Sequence, residues 1–320
     1  MAEEDQFMNW VTLVEDYLKQ RRQMGFQLSI EGKQLLNFAR YAEGQGAKRP
    51  LTASLARDWG SAAPSGSTIA MARRMSLLRL FTQYLNSLDS TQAILPKRLM
   101  GPTHRRLTPF IYNEGDINGL MTACDSLFSI VGLRSHTMRT LIGLLISTGL
   151  RPGEAVRLKQ CEVNLKEQAL VINDSKGWKR RIVPITTSTI AALQAYLHYR
   201  DQLVPCSTSD AFFVSDYGQP LNIRAADYAF GLLSTHQGLA HQNNGCRPRL
   251  YDMRHTFVCN RLLVWYEANE NVDSLMPMLS QYIGHKKVSD TYHYIQSIPA
   301  LMNRAAYLFE HHQRTSGGKR

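Results

Sequence analysis

Ser147-Thr148-Gly149-Leu150-Arg151-Pro152-Gly153-Glu154 is the stretch on which the fold turns. An apolar run from Leu141 leads into it and stops at Gly149, the residue type that most readily takes the left-handed conformation ending a helix. Pro152 can open the next helix, because its missing N–H and fixed φ suit the first helical position. Arg151 is thus held on a corner, with Glu154 three residues on. Two strand-like runs follow, 168–173 and 179–185, and they predict a hairpin whose tip is Ser175-Lys176-Gly177. Farther along, Tyr251-Asp252-Met253-Arg254-His255-Thr256-Phe257 reads as the opening of a helix. Ile283-Gly284-His285 comes next, and Tyr294 lies nine positions after His285 in Asp290-Thr291-Tyr292-His293-Tyr294.

In this order the motifs resemble those of the tyrosine recombinase (phage integrase) family. The family's first arginine motif is Thr-Gly-Leu-Arg with an acidic residue three positions on, here Thr148 to Arg151 and Glu154. Its lysine lies on a β-hairpin before a basic, Val-Pro-containing strand, here Lys176 and then Lys179-Arg180-Arg181-Ile182-Val183-Pro184. Its second arginine motif is His-x-x-Arg-His-Thr-Phe, and this chain departs from it by carrying Tyr251 in place of the histidine. The last motif, Leu/Ile-Gly-His followed by Tyr, matches His285 and Tyr294. The resemblance is strong from about Phe110 to His312 and weaker before that. It implies a mainly α fold with a small antiparallel β-sheet: a helical (SAM-like) core-binding domain, then a mixed α+β catalytic domain. It also implies Arg151, Lys176, Arg254, His285 and Tyr294 as the catalytic set, supported by Tyr251, Glu154 and His255, with no metal and no cofactor.

Elementary chemistry explains why these residue types serve together. A phosphodiester is anionic and repels nucleophiles, and its pentavalent transition state gathers more charge on the non-bridging oxygens. Two guanidiniums, always charged and forked, can stabilise those oxygens without a metal. A tyrosine, with an ordinary pKa of about 10, becomes a fair nucleophile once its proton is taken or shared. Its aryl phosphate ester stores the energy of the broken bond, and the chain has no Gly-x-x-x-x-Gly-Lys-Ser/Thr loop for a nucleotide. The resemblance implies that Lys176 protonates the leaving 5′-oxygen, while His285 hydrogen-bonds the scissile phosphate or helps proton transfer. Each residue also has a plainer reading. Arg151 and Glu154 could decorate a helix start, and Lys179 competes with Lys176. His255 reads as a packing and hydrogen-bonding support. Tyr292 competes with Tyr294, and family spacing selects Tyr294. A neutral phenol at 251 can still donate a hydrogen bond to phosphate but cannot titrate near neutrality.

The composition suits a polyanion partner. The chain has 320 residues, 44% of them hydrophobic, and a formal net charge of +11. From Met71 to Arg106 there are seven Lys/Arg against one Asp, which favours DNA contact over a merely solvated face. Arg73, Arg74, Arg79, Arg105, Arg106 and Lys179 are the expected DNA-binding residues. Five scattered cysteines without a Cys-x-x-Cys pair argue against a disulfide framework or structural zinc. The acidic start Met1-Ala2-Glu3-Glu4-Asp5 is unlike a signal peptide, and the expected location is cytoplasmic and nucleoid-associated.

Upstream, Phe7, Trp10, Val11, Val14, Tyr17 and Leu18 make one apolar stripe. Further helices are expected at about Ser29–Glu43, from Thr52 as N-cap to Trp59, and from after Ser67 to Leu88. The expected organisation is a DNA-clamping domain over 1–94, a basic proline-containing linker over 95–109, a catalytic domain over 110–314, and a disordered tail over 315–320. No arm-binding domain is expected to precede it. Catalytic-domain helices are expected near 114–128, 135–149, 187–203, 222–236, 249–267 and 273–283, with a further strand at Ala211 to Ser215 and a short helix bearing Tyr294. A last helix, about Ile298 to His312, would by resemblance dock into a neighbouring protomer. The resulting expectation is a site-specific recombinase working through a 3′-phosphotyrosyl intermediate on double-stranded DNA recombination sites. It would act as a homotetramer, with accessory DNA-bending or partner recombinase proteins. A type IB topoisomerase-like enzyme and a catalytically impaired DNA-binding relative are the alternatives.

Overall fold

The computed structural model describes residues 9–103, 108–173, 180–205, 207, 209–239, 247–285, 287–292 and 294. Lys176, Lys179, Arg105, Arg106, the hairpin tip and the expected helix and tail beyond 298 lie outside the described residues. The chain divides into two compact units, Met1–Arg106 and Leu107–Arg320.

The first unit is four helices, α1 (Trp10–Gln23), α2 (Ser29–Gly44), α3 (Ala53–Ser61) and α4 (Thr68–Leu88). Asn9 and Thr52 cap α1 and α3 through their side-chain oxygens, satisfying N–H groups that a helix start leaves orphaned. The apolar stripes close on an aromatic centre in which Phe38 meets both Trp10 and Trp59 edge to face. Each indole N–H finds a partner: Trp10 donates to the Ala47 carbonyl (2.8 Å) and Trp59 to Asn37 Oδ1 (3.0 Å). The buried Gln92 amide receives the Leu51 N–H (2.6 Å) and donates to its carbonyl (3.1 Å), clipping the segment before α3 to the chain after α4. The stretch expected as linker is not free at its start. Leu95 is buried in this core and its N–H donates to Thr82 Oγ1 (3.2 Å), because one more apolar side chain there completes the packing.

In the second unit, α5 (Glu114–Ala123) opens with a reciprocal cap between Asn113 and Asp116. The centre is α6 (Leu133–Thr148), apolar on most sides, as expected of a helix packed all round. It ends at Gly149 (φ +63°), and after the short corner Gly149-Leu150-Arg151 comes α7 (Pro152–Val156). A three-stranded antiparallel sheet follows in the order β1 (Val163–Asn164), β2 (Ala169–Asn173), β3 (Arg180–Pro184). Leu170 opposite Val183 fills the buried face. Helices α8 (Thr187–Leu203), α9 (Ile223–His236), α10 (Asp252–Glu267), α11 (Val272–Ile283) and α12 (Ser289–Tyr292) complete the described fold.

Two expectations need correction. Ala211 to Ser215 is not a strand of the sheet; it makes only isolated bridges, Ala211 with Lys159 and Val214 with Pro220. Phe212 and Phe213 are both fully buried, which a half-exposed strand with alternating faces cannot provide. The short helix expected to bear Tyr294 ends at Tyr292, and Tyr294 lies in the turn beyond it. Among the described residues, no helix is long and apolar enough to cross a membrane.

Candidate active site

The site is built on the end of α11. A helix leaves its last carbonyls without intrahelical donors and carries partial negative charge there. Here three successive carbonyls each take a different arginine. The Tyr282 carbonyl accepts from Arg181 Nε (3.0 Å), that of Ile283 from Arg254 Nη2 (2.7 Å), and that of Gly284 from Arg151 Nη2 (2.8 Å). Gly284 is in the left-handed region (φ +71°), and a Cβ there would stand 2.8 Å from Arg181 Nη1. Glycine is therefore needed both for the turn and for the close approach.

Arg254, in the first turn of α10, is 0% exposed. Its Nη1 donates to the Gly149 carbonyl (2.8 Å), so the end of α6 and the end of α11 grip the two arms of one guanidinium. Its Nε is buried without a hydrogen-bond partner. Burial lowers its pKa, as expected of a cation withdrawn from water. Arg151, on the corner between α6 and α7, keeps 36% of its side chain exposed. Its backbone N–H and Nη1 both reach Glu154, at 3.0 and 2.8 Å. Burial alone would lower the Arg151 pKa, but Glu154 and the neighbouring Tyr251 raise it. Glu154 also takes a two-pronged pair from Arg181, with Nη1 at 3.1 Å and Nη2 at 2.7 Å. Burial would raise its pKa; the hydrogen bonds and charge of the two arginines outweigh that and hold it down at about 2.

Tyr294 is 5% exposed, its ring beside His255 (centroids 5.0 Å apart) and stacked towards His285 (5.9 Å). Burial raises its phenol pKa, against the opposing pull of the Arg254 guanidinium. Tyr292 points elsewhere: it is 38% exposed and donates to Asp273 Oδ1 (2.9 Å). His285 Nδ1 pairs with Thr291 Oγ1 (2.9 Å), which orients the ring from the same short segment that carries Tyr294. Burial, helped by Arg254 and Arg151, pushes the His285 pKa down to about 4, so the imidazole is neutral at pH 7. His255, between Tyr251 (5.4 Å) and Tyr294, is likewise pushed down to about 4, chiefly by burial. Tyr251 is more than a third exposed beside them.

The structure therefore brings Arg151, Glu154, Tyr251, Arg254, His255, His285 and Tyr294 into one cluster. In the first unit, Arg73 is exposed and donates to the Thr103 carbonyl (3.1 Å). Arg74 is instead committed to Trp59, donating to its carbonyl (2.8 Å) with the guanidinium 4.5 Å from the ring centroid. Arg79 is half-buried. Sequence reasoning missed Arg181 and Thr291. The signal for Arg181 was present: it shares a strand face with the buried Val183, and an arginine pointing inward requires a carboxylate.

The description of the phage integrase family matches residues 112–300 of this chain. A Sinorhizobium fredii protein assigned as integrase/recombinase y4rB is 34% identical, over 91% of this chain and 94% of its own length. The tyrosine recombinase XerC of Chlamydia caviae is 28% identical over 68% of this chain and 64% of its own. In fold, the chain is similar to the XerH site-specific recombinase in a crystal structure with its palindromic difH substrate after cleavage. That likeness has a TM-score of 0.63 at 18% identity and covers 93% of this chain and 84% of the other. With the family matched over more than half its length, and y4rB similar along nearly all of it, the chain belongs to the phage integrase family, the tyrosine recombinases.

Proposed function

We propose that this site-specific recombinase cuts DNA by attack of Tyr294 Oη on the scissile phosphorus. The bond to the 5′-oxygen breaks and a 3′-phosphotyrosyl ester forms; attack by the 5′-hydroxyl of another strand reverses the step and exchanges partners. The observation that carries this reading is the buried phenol beside Arg254, with Arg151 gripping the adjacent backbone carbonyl of the same helix end. Arg151 and Arg254 hold the non-bridging oxygens, and the unpaired Arg254 Nε is a donor in hand for one of them. His285, neutral and tethered by Thr291, hydrogen-bonds the phosphate or receives the tyrosine proton. Lys176 protonates the leaving oxygen. Tyr251 donates to phosphate in place of the usual histidine, and His255 packs behind Tyr294.

In this reading the first unit is a SAM-like core-binding domain that clamps the duplex, with Arg73, Arg105 and Arg106 on phosphates, and Lys179 of the second unit adds a further phosphate contact. The working species is a homotetramer on paired sites, joined by exchange of the segment 298–312, with accessory DNA-bending or partner recombinase proteins setting the outcome. Location with the nucleoid follows from the DNA partner.

The test uses a nicked duplex carrying the site this protein selects from random-sequence DNA. A covalent protein–DNA adduct that ends at Tyr294 is expected. Binding without any adduct would overturn the reading, whereas adduct formation without strand exchange between duplexes would point to a topoisomerase. Truncation after Pro299 should abolish recombination while leaving DNA binding intact.

A further inference from the structure

We propose that Arg181 is a positioning residue for cleavage, clamping Glu154 so that Arg151 keeps both its orientation and its charge for the phosphate. The inference rests on the role given above to Arg151.

Glu154 receives four donors: the Arg151 N–H and Nη1, and Arg181 Nη1 and Nη2. That fills the acceptor sites a carboxylate offers in its plane. Were Arg181 absent, Glu154 would be free to take Arg151 in a two-pronged pair, drawing the guanidinium away from the Gly284 carbonyl and from any ligand. The charge count points the same way. One carboxylate shared by two guanidiniums leaves the trio at +1, so Arg151 faces an anion with its charge uncancelled. Arg181 is also the more enclosed of the two, 17% exposed against 36% for Arg151. It reaches the same helix end through the Tyr282 carbonyl, fixing β3 to the end of α11 and not to solvent. A residue that merely balanced a buried carboxylate would not need that second anchor.

The test is single-turnover adduct formation on the nicked duplex described above, with DNA affinity and thermal midpoint measured on the same proteins. Arg181→Lys keeps the charge but loses the fork and one anchor, so it should fold and should slow adduct formation by about tenfold, with Kd within about threefold. Arg181→Ala should slow it on the order of 10²-fold, the scale of a misplaced catalytic group. Adding Glu154→Gln to Arg181→Ala should recover part of that rate, because the competing carboxylate charge is gone. A lysine variant at the full wild-type rate would overturn the proposal. So would rate and affinity falling together in both single variants with no recovery in the double one. Tyr294→Phe is measured alongside: adduct formation by that protein would remove the underlying mechanism, whereas an inactive Tyr294→Phe beside fully active Arg181 variants would remove only this inference.

Discussion

Gly149 and Phe257 meet so closely that a single methyl group added to the glycine would fall inside the van der Waals surface of the phenyl ring. One residue ends α6 and the other lies on α10, and the Gly149 carbonyl between them holds Arg254. Gly149→Ala carries two penalties, a left-handed backbone and an overpacked contact, together roughly 2–4 kcal/mol. For a unit of this size that lowers the thermal midpoint by on the order of 5–15 °C. Adduct formation should fall as well, since the Arg254 anchor moves. An alanine variant that melts like the wild type would contradict this account.

Tyr294→Phe keeps the ring against His255 and His285 and removes only the hydroxyl. Adduct formation should be lost entirely while the melting temperature and DNA affinity stay close to wild type. Tyr292→Phe, which breaks a bond to Asp273 on the surface of α11, should leave the adduct in place. Peptide mapping of the trapped complex distinguishes the two.

The pH dependence of stability has a definite sign. His255 and His285 ordinarily titrate near 6.5, but burial first of all pushes both down to about 4 in the folded protein. Between about pH 6.5 and 4 the unfolded chain therefore binds more protons than the native one, and stability falls as pH falls through that window. Thermal melts should show the decline, and His285→Asn should make it shallower. A midpoint that is flat or rises towards pH 4.5 would contradict the neutral, buried imidazoles.

Tyr251 stands beside Arg151 and His255 with more than a third of its surface open. Tyr251→Phe removes its hydrogen-bond donor and should slow adduct formation, on the order of 10²-fold if the phenol donates to the transition state. Tyr251→His should leave the rate equal or higher. Complete loss of cleavage in the histidine variant would sink the idea that the phenol stands in for it.

Arg73 and Arg74 are neighbours in sequence with opposite expected effects. Arg74→Ala gives up a ring contact and a hydrogen bond to Trp59, so it should destabilise the first unit by about 1–2 kcal/mol. Arg73→Ala should leave stability alone and weaken DNA binding, with the slope of log K against log salt reduced by about 1. Denaturation curves and salt titrations separate them.

Most helices were legible in the sequence because their signals are local. Thr52 caps α3, Gly149 stops α6, and the stripe through Trp10, Val14 and Leu18 marks α1. The motifs that supply Arg151, Arg254, His285 and Tyr294 were legible too, since each carries its own turn or helix start. What escaped was set by partners distant in the chain. Phe212 and Phe213 look like strand residues, yet the core takes both rings at once. Leu95 looks like the start of a linker until the pocket beside Thr82 is known. Strand alternation puts Arg181 on the face of Val183, but which acceptors it meets there is decided by the fold, which brings Glu154 and the end of α11 to it.

The three acceptors at the end of α11 are peptide oxygens, not side-chain atoms. Exchanging Ile283 for valine or leucine leaves its acceptor where it was, so the apolar chemistry at that position can drift without loosening the hold on Arg254. The hold depends on chain path, which the left-handed turn at Gly284 sets.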